Sequence, residues 1–481
     1  MINKTIIHCF FFFVVLINFI HAQSNADLFN VNISKILQSD FFSESQIAID
    51  IYNLTEQKQV YELNSKLLFR PASTLKLFTT ASSLLFLEDY KFKTSVYHSG
   101  EVEDSILCGN LIISGGFDPE FSSNDLDSLV REIKNYGIKK INGNLICDIS
   151  KMDSLYWGEG WMWDDAPYSF SASLSSLTIN DNSIYIVYSP GEVGKQAVIS
   201  SIPPTSFVKF INNSITVQAD STNINITRDW INKKNDILIT GNILQHANSD
   251  TIQISISSPE NYFLTLFKES LTRNNIEHNG NSILSQINYY DDLEEIFSFD
   301  RDIDSVIINT NKMSDNLSAE SLLRILGLKY FGPPSSAKKG INLLDSLITL
   351  TGLNPKKYRI ADGSGLSFYN LISAESLTSI LKYFYLEEPE KFVKLYNSLP
   401  ISGYDGTLKN RMKEMNAYKK VRAKTGTISG VSNLAGYMTN KENQLFAFSI
   451  MNQNFVGSSK SAREIQDKIC ELIYNTSFND K

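Results

Sequence analysis

Three short motifs, far apart in the chain, constrain its fold more than any other sequence feature. They are Ser73-Thr74-Leu75-Lys76, Ser314-Asp315-Asn316 and Lys424-Thr425-Gly426, with 241 residues between the two serines and 110 between Ser314 and Lys424. Each motif alone is common, since S-x-x-K also occurs at 335–338 and 336–339. If the three act together, the fold has to bring an early, a central and a late segment of the chain to one place.

The first motif has the spacing of a helical turn. Pro71 opens a predicted helix over 72–87, which places Ser73 and Lys76 on one face, because residues three apart are neighbours on a helix. A serine in a first turn is usually only a cap. Capping does not explain a lysine in an otherwise apolar helix, where burial of its charge is costly. We therefore predict Ser73 as a nucleophile and Lys76 as its proton acceptor.

Histidine and cysteine patterns exclude other chemistries. The chain has five histidines, two of them within the first 21 residues, and it contains neither H-x-x-x-H nor C-x-x-C. We therefore expect no Ser-His-Asp triad, metal site or cofactor. Beyond the N-terminal segment, Cys108, Cys147 and Cys470 are too few and odd in number for a complete disulfide framework. Cys108 and Cys147 either pair or, as we favour, are buried as small apolar residues.

Residues 1–22 have the pattern of a signal peptide, with Lys4, an apolar block at 9–20 and Ala22 at a plausible cleavage point. The block is short for a bilayer span, although a retained anchor stays open as an alternative. We predict a periplasmic or otherwise exported protein with no transmembrane span in the mature chain. The formal net charge of −8, without a long basic run, argues against nucleic acid as a partner.

The pattern along the chain predicts a domain that is split by an insert. A hairpin and a helix come early, and three strands with a final helix come late, which suggests one sheet assembled from both ends of the chain. The middle is β-rich and lacks a candidate nucleophile. We predict an α+β catalytic domain at 23–93 and 301–481, and an inserted region at 94–300 with two subdomains.

At this point the chain resembles a known family, the class C low-molecular-weight penicillin-binding D-alanyl-D-alanine carboxypeptidases/endopeptidases. The segments that carry the resemblance are 70–76, 160–165, 314–320, 362–366, 405–408, 424–427 and 434–437. That family has a large insert between the first two motifs, whereas ordinary serine β-lactamases place them much closer together. The resemblance implies a serine β-lactamase/DD-peptidase-like fold, with an antiparallel sheet flanked by helices.

The resemblance also implies a reaction, namely hydrolysis of the terminal D-Ala-D-Ala bond of peptidoglycan peptides and of D-Ala cross-links, with β-lactams as covalent inhibitors. Ser73 would form an acyl-enzyme that water then releases. Burial and a nearby Lys424 charge would lower the pKa of Lys76. Ser314 would relay the proton to the leaving amine, and Asn316 would hold a substrate amide.

The remaining implied contacts concern substrate binding. Lys424 and Thr425 would meet the free terminal carboxylate, and Gly426 would be a further substrate-binding residue. The backbone N–H groups of Ser73 and Thr427 would form the oxyanion hole. Asp165 would bind an amino group on the third residue of the stem peptide, with a solvated or capping carboxylate as an equal alternative.

Two other functions stay open from the sequence. A serine β-lactamase uses the same acylation groups and differs in its deacylation rate, which the motifs do not reveal. A non-catalytic peptidoglycan-binding protein would lack one of Ser73, Lys76 or Lys424, and all three are present.

Overall fold

The computed structural model describes residues 25–219, 221–287 and 290–478, so the predicted signal peptide at 1–22 lies outside the described residues. Its helices are α1 (Asn25–Leu37), α2 (Lys76–Phe86), α3 (Ser123–Asn135), α4 (Pro259–Arg273), α5 (Ile303–Lys312), α6 (Asn316–Phe331), α7 (Ala337–Leu350), α8 (Ala374–Glu387), α9 (Pro389–Ser398) and α10 (Lys460–Asn475). Over the described ranges, no helix is long and apolar enough to cross a bilayer.

The strands are short in the middle of the chain and long at its ends. They are β1 (Gln46–Asn53), β2 (Lys58–Leu63), β3 (Lys91–His98), β4 (Val102–Glu103), β5 (Ile106–Leu107), β6 (Leu111–Ser114), β7 (Lys140–Ile141), β8 (Leu145–Asp148), β9 (Ser183–Ser189), β10 (Val198–Ile202), β11 (Phe210–Asn212), β12 (Ile215–Val217), β13 (Asn225–Arg228), β14 (Ile237–Thr240), β15 (Asn242–Leu244), β16 (Asp250–Ser255), β17 (Glu277–His278), β18 (Ser282–Ser285), β19 (Glu294–Asp302), β20 (Val421–Ile428), β21 (Val431–Thr439) and β22 (Leu445–Gln453).

The main sheet joins the two ends of the chain, as predicted. Its order is β2-β1-β22-β21-β20, and every neighbouring pair is antiparallel. β1 pairs with β22 over its full length, from Gln46 opposite Gln453 to Asn53 opposite Phe446. Since side chains alternate across a strand, both faces of the sheet are available for helices to cover.

Two apolar clusters cover those faces. On one face, Ala435 and Met451 of the sheet share a core with residues of α2, α6 and α8. On the other face, Ile49 and Phe448 share a core with residues of α1 and α10. This is the α+β arrangement, a sheet between helical layers, that the sequence predicts.

The insert begins and ends on neighbouring strands. β3 is antiparallel to β19, with Lys91 opposite Asp302, so the chain leaves and re-enters the predicted catalytic domain at one place. β6 and β8 pair in parallel within the sheet β18-β8-β6-β3-β19. An apolar cluster with members between Val96 and Ile276 belongs to the insert alone. The boundaries at 93/94 and 300/301 remain a proposal, which this separate core supports.

One predicted element bound is corrected. The helix predicted over 72–87 starts as a 3₁₀ turn at Ala72–Leu75. β20 runs through the third motif to Ile428. The Ser336 hydroxyl caps α7 by accepting a hydrogen bond from the backbone N–H of residue 339. α1 was not predicted from the sequence.

The cysteines are unpaired within the described residues. Cys147 and Cys470 are buried, as expected of small apolar residues, whereas Cys108 is exposed. The expectation that Cys108 is buried is therefore wrong, because it lies in the short turn between β5 and β6 rather than in a strand that faces the core.

Candidate active site

The nucleophile candidate lies in a tight turn at the start of α2. Ser73 belongs to the 3₁₀ turn, and Lys76 is the first residue of α2, with its Nζ 3.1 Å from the Ser73 Oγ. Ala72 has a left-handed φ of 46°, which turns the chain sharply into the helix. Gly426 packs against this turn so closely that a Cβ there would lie 2.6 Å from the Pro71 carbonyl oxygen. The strand that carries the third motif therefore rests directly on the serine turn.

The Lys76 ammonium group has a full set of acceptors, although its side chain is completely buried. Besides the Ser73 hydroxyl, it donates hydrogen bonds to Asn316 Oδ1 at 2.6 Å and to the Ser364 carbonyl oxygen at 2.7 Å. Three acceptors match the three N–H bonds of an ammonium group, so the amine is held in one position beside the serine.

Lys424 forms the opposite wall. It is fully buried on β20, and its Nζ donates hydrogen bonds to the Ser314 Oγ at 2.8 Å and to the carbonyl oxygen of Thr425 at 3.0 Å. Ser314 has a left-handed φ of 63° in the connection between α5 and α6. The next residue, Asp315, caps α6 by accepting a hydrogen bond from a backbone N–H at 2.6 Å. This turn directs Ser314 and Asn316, two residues apart in the chain, into one site.

The two buried lysines do not respond equally to their surroundings. Burial lowers the pKa of Lys76 to about 8, although the carboxylates of Asp315, Asp362 and Glu320 oppose that shift. Burial lowers the pKa of Lys424 well below its usual range, and the Lys76 charge lowers it further. The prediction that the Lys424 charge lowers the pKa of Lys76 is therefore wrong, because the like-charge repulsion lowers the pKa of Lys424 instead.

The lowered pKa of Lys76 has an energetic consequence. The unfolded lysine keeps its proton up to about pH 10.4, whereas the folded one loses it near pH 8. Protonation therefore favours unfolding, and the native state loses stability as pH falls between these two values. Below pH 8 the buried ammonium group of Lys76 lowers the free energy of unfolding by about 3 kcal/mol.

A buried carboxylate shapes the loop that contacts Lys76. Glu320 Oε1 accepts hydrogen bonds from the backbone N–H groups of Gly363, at 2.8 Å, and Ser364, at 2.9 Å. The carbonyl of Ser364 is the one that accepts from Lys76. Burial and the nearby Asp362 raise the pKa of Glu320. The sequence analysis noted both segments as family-like but assigned neither a role, because only the folded chain brings them together.

The insert is tied to the same loop. The Trp161 indole N–H donates a hydrogen bond to Asp362 Oδ2 at 2.9 Å, and Asn316 donates from Nδ2 to the Phe170 carbonyl oxygen at 2.7 Å. Trp161 also packs against the apolar core of the catalytic domain. Trp163 is 66% exposed and contacts the ring of Trp230, with the ring centroids 4.9 Å apart.

Ser73 and Ser314 open onto two clefts. We call the first the insert-side cleft; its volume is about 510 Å³, and it is lined by Ser73, Met162, Asp164, Asp165, Phe170, Ser314, Asn316, Gly365, Leu366, Phe368, Thr427, Ile428 and Ser429. Asp165 is half-buried there, and its carboxylate makes no hydrogen bond or ion pair with the residues that the structure describes. Burial and the neighbouring Asp164 raise its pKa. The structure therefore brings Asp165 to the site with its carboxylate free for a ligand.

We call the second the α10-side cleft; its volume is about 560 Å³, and it is lined by Ser73, Ser314, Gly406, Thr407, Lys409, Asn410, Arg411, Thr425, Thr427, Ser432, Asn433, Lys460, Arg463, Glu464 and Asp467. Thr425 Oγ1 donates a hydrogen bond to Thr407 Oγ1 at 2.8 Å. Thr427 is exposed and lines both clefts. Lys409, Lys460 and Arg463 of this cleft were not predicted from the sequence, since they come from two unrelated segments.

The other two S-x-x-K segments have structural roles. Ser336 caps α7, as described above, and the Lys339 ammonium donates hydrogen bonds to the carbonyl oxygens of Gly332 at 2.9 Å and Pro334 at 2.8 Å. The Ser335 hydroxyl donates to a backbone carbonyl of α6. Neither serine contacts its motif's lysine side chain, in contrast to Ser73.

Known proteins share both the sequence pattern and the fold. Residues 29–476 match the profile of the D-Ala-D-Ala carboxypeptidase 3 (S13) family. The chain is 29% identical over 430 residues to the D-alanyl-D-alanine carboxypeptidase DacB of Haemophilus influenzae, covering 87% of each chain. It is 28% identical over 459 residues to a D-alanyl-D-alanine carboxypeptidase of Actinomadura sp., covering 91% of this chain and 83% of the other. The crystal structure of penicillin binding protein 4 (dacB) from Haemophilus influenzae is similar with a TM-score of 0.82 at 26% identity, over 92% of this chain and 99% of that chain.

Proposed function

The chain belongs to the D-Ala-D-Ala carboxypeptidase 3 (S13) family, and we propose that its reaction proceeds through an acyl-enzyme on Ser73. The protein is a serine-type D-Ala-D-Ala carboxypeptidase of the penicillin-binding type, a hydrolase that acts on peptidoglycan peptides. The observation that carries the proposal is the 3.1 Å contact between the Lys76 Nζ and the Ser73 Oγ in a buried site. It supplies a base for the serine without histidine.

Acylation starts when neutral Lys76 takes the Ser73 proton. The Oγ then attacks the carbonyl carbon of the penultimate D-Ala, and the bond to the terminal D-Ala breaks. The Lys76 pKa of about 8 favours this role, because a base titrating near the working pH is partly neutral and still basic. The released amine needs a proton, and Ser314, which contacts Lys424 at 2.8 Å, relays it. Water then hydrolyses the ester and restores Ser73.

Charge develops on the substrate carbonyl oxygen during the attack. The backbone N–H groups of Ser73 and Thr427 form the oxyanion hole, which the tight packing of Gly426 on the serine turn supports. Each such donor contributes about 3–4 kcal/mol of transition-state stabilisation. These donors come from two segments of the chain, so the hole exists only while β20 rests on the turn.

The two clefts divide the substrate between them. The stem peptide that becomes the acyl group lies in the insert-side cleft, where Asn316 holds a substrate amide and Asp165 binds the amino group of the third residue. The terminal carboxylate lies on the other side, against Lys424, Thr425 and Gly426. Burial and the Lys76 charge lower the pKa of Lys424, and a substrate carboxylate beside it favours the protonated amine again. A substrate without a free carboxylate lacks this interaction, which gives the site its carboxypeptidase specificity.

Export is the second part of the proposal. The segment 1–22 directs the chain across the inner membrane to the periplasm, where peptidoglycan is reached, and the insert at 94–300 then serves as a separate unit that lends Asp165 and Trp161 to the site. Expression of the full chain tests this: the mature protein is expected in the periplasmic fraction with its N-terminus near Gln23. Retention of the intact N-terminus would contradict cleavage.

Labelling with a fluorescent penicillin tests the nucleophile. The wild type is expected to form a stable covalent adduct, and Ser73→Ala is expected to form none. Ser336→Ala is the matched control, since that serine has the same S-x-x-K spacing but caps a helix, and it is expected to label like the wild type. Equal labelling of Ser73→Ala and wild type would overturn the assignment.

Product analysis then separates the peptidase from a β-lactamase. We expect release of D-alanine from a D-Ala-D-Ala pentapeptide by the wild type, together with slow loss of the penicillin label. Rapid turnover of the β-lactam without release of D-alanine would favour the β-lactamase instead.

A further inference from the structure

We propose that Glu320 is a positioning residue for acylation, which holds the Ser364 carbonyl against the Lys76 amine and so keeps that amine beside the serine. The inference rests on the proposed function, in which Lys76 is the base, and goes beyond it, because no step of the reaction uses Glu320. The Glu320 side chain is fully buried and lines neither cleft. It therefore acts on the reaction through other groups rather than by contact with the substrate.

Two consecutive hydrogen bonds connect Glu320 to the base. Its Oε1 accepts from the backbone N–H of Ser364 at 2.9 Å, and the carbonyl oxygen of the same residue accepts from the Lys76 Nζ at 2.7 Å. A backbone carbonyl does not rotate as a hydroxyl or an amide side chain does, so its direction is set by whatever holds the loop. Displacement of the loop would therefore move the amine or remove one of its three acceptors.

Glu320 holds the part of the loop that faces Lys76, and another carboxylate holds the rest. Glu320 Oε1 also accepts from the backbone N–H of Gly363 at 2.8 Å. Asp362 accepts from the backbone N–H groups of two later residues of the loop, at 2.9 Å and 2.7 Å. Removal of the Glu320 carboxylate would therefore leave two buried N–H groups without their acceptor, which is costly.

The loop lies directly on both α6 and α2. A Cβ on Gly363 would lie 2.9 Å from the Ala319 carbonyl oxygen of α6. On the other side, Thr79, one turn after Lys76 in α2, donates from its Oγ1 to the Gly363 carbonyl oxygen at 2.6 Å. The loop therefore bridges the helix that follows the second motif and the helix that carries the base, and Glu320 fixes it to the first of these.

The charge of Glu320 is balanced by two buried cations. Arg324, one turn further along α6, is 1% exposed, and its Nε and Nη1 make no hydrogen bond with the described residues. Burial lowers the pKa of both Arg324 and Lys76, and the Glu320 carboxylate opposes the shift in each. The charged groups that act on Glu320 or on these two cations are Lys76, Asp153, Asp315, Arg324 and Asp362. A carboxylate at this position therefore favours the protonated form of the base, which an amide would not do.

Substitutions can remove the contact and the charge of Glu320 one at a time. Glu320→Gln keeps an oxygen for the two N–H groups but removes the charge. Glu320→Asp keeps the charge, but its side chain is one methylene shorter and no longer reaches the N–H groups. The first variant should therefore change the proton affinity of Lys76, and the second should change its position.

The experiment measures the acylation constant by stopped-flow fluorescence with a labelled penicillin from pH 6 to pH 10. Above about pH 9 the Lys76 amine is mostly neutral, so the limiting constant reports its position, whereas the midpoint reports its pKa. Asp50→Asn is the control, because Asp50 is also a buried carboxylate, 4% exposed, and is not among the charges that act on Lys76. Thermal unfolding verifies that each variant is folded at the assay temperature.

We expect Glu320→Asp to lower the limiting constant by about tenfold or more, since misplacement of a reacting group by about 1 Å costs about 100-fold. Its midpoint should stay close to the wild-type value near pH 8. Glu320→Gln should keep the limiting constant and move the midpoint to lower pH. This shift should be smaller than that of Asp315→Asn, because Asp315 contributes more to the Lys76 pKa. Asp50→Asn should change neither quantity.

Gly363→Ala is a second test of position that leaves Glu320 in place. The φ of Gly363 lies outside the left-handed region, so the backbone accepts alanine, but the new Cβ would lie 2.9 Å from the Ala319 carbonyl oxygen and would push the loop away from α6. The limiting constant should therefore fall as it does in Glu320→Asp.

A limiting constant at the wild-type value in either folded variant, Glu320→Asp or Gly363→Ala, would overturn the positioning role. If Glu320→Asp does not fold, the result for Gly363→Ala decides. An unchanged midpoint in Glu320→Gln would overturn the action of its charge on Lys76. A wild type that forms no penicillin adduct, or whose acylation does not change between pH 6 and pH 8, would instead refute the proposed function, in which Lys76 is the base.

Discussion

The rate at which penicillin acylates Ser73 should rise steeply with pH, because only neutral Lys76 accepts the serine proton. The Lys76 pKa of about 8 leaves roughly 1% of the amine neutral at pH 6, about 10% at pH 7 and about 90% at pH 9. We therefore expect the second-order acylation constant to increase about tenfold between pH 6 and pH 7. It should reach half of its maximum near pH 8 and become constant above about pH 9.

The substitution Asp315→Asn tests the physical origin of this profile. Among the charged neighbours of Lys76, the Asp315 carboxylate does most to raise its pKa. Asparagine keeps an oxygen that accepts the capping hydrogen bond from the backbone N–H of Ser318, so α6 retains its start. Loss of the charge lowers the Lys76 pKa and moves the rise in acylation to lower pH. Each unit of that shift corresponds to about a tenfold faster reaction at pH 6.

Stopped-flow fluorescence with a labelled penicillin, at constant ionic strength from pH 6 to pH 10, measures both profiles. Asp89→Asn is the control, since that exposed carboxylate follows the far end of α2, about 20 Å from Lys76 and beyond the Debye length of about 8–10 Å. A wild-type constant that does not change between pH 6 and pH 8 would refute a neutral Lys76 as the base. An Asp315→Asn midpoint at or above the wild-type value would refute the electrostatic explanation.

Three further substitutions probe the contacts around the site. Gly426→Ala should slow acylation about 100-fold, because the new Cβ would lie 2.6 Å from the Pro71 carbonyl oxygen and would displace the turn that carries Ser73. Gly137→Ala is the control: its Cβ would have no neighbouring atom within 4 Å, so it should change stability but not acylation. Trp161→Phe should lower the free energy of unfolding by about 1–3 kcal/mol in a denaturant titration, since Asp362 Oδ2 loses a buried donor; an unchanged midpoint would count against that bond. Asp165→Asn should reduce the preference for stem peptides with a free third-residue amine over acetylated ones about fivefold, measured as a ratio of kcat/KM, and an unchanged ratio would exclude the proposed contact.

The sequence predicts the parts of this site that depend on local spacing. Ser73 and Lys76 are neighbours because they are three residues apart in a helical turn, and the split sheet follows from strand patterns at both ends of the chain. The resemblance to a family then groups the distant motifs. Side chains that lie within one element, or in one recognised motif, were therefore predictable.

Contacts that depend on loop conformation were not predictable. No sequence pattern indicates that the Ser364 carbonyl accepts a hydrogen bond from Lys76, or that Glu320 holds the loop at 363–364. These contacts use backbone groups, which every residue type has, so the sequence does not reveal them. The lowered pKa of Lys76 depends on its burial and on three carboxylates, Asp315 and Glu320 at the start of α6 and Asp362 in a distant loop, which only the folded chain brings together. α1 was missed because its two inward residues, Phe29 and Ile33, gain their partners only from α10 and the sheet.

The pairing of β1 with β22 has a consequence for the order in which the protein becomes active. Ribosomes make the serine turn early, but the strand that rests on it, β20, and the strand that completes the sheet, β22, are among the last segments to be made. A growing or truncated chain therefore contains the nucleophile without Lys424, the oxyanion donor of Thr427 or a closed sheet. The reaction therefore requires a chain that is complete through β22. The same long-range pairing predicts slow folding, because distant segments have to meet before the sheet gains stability.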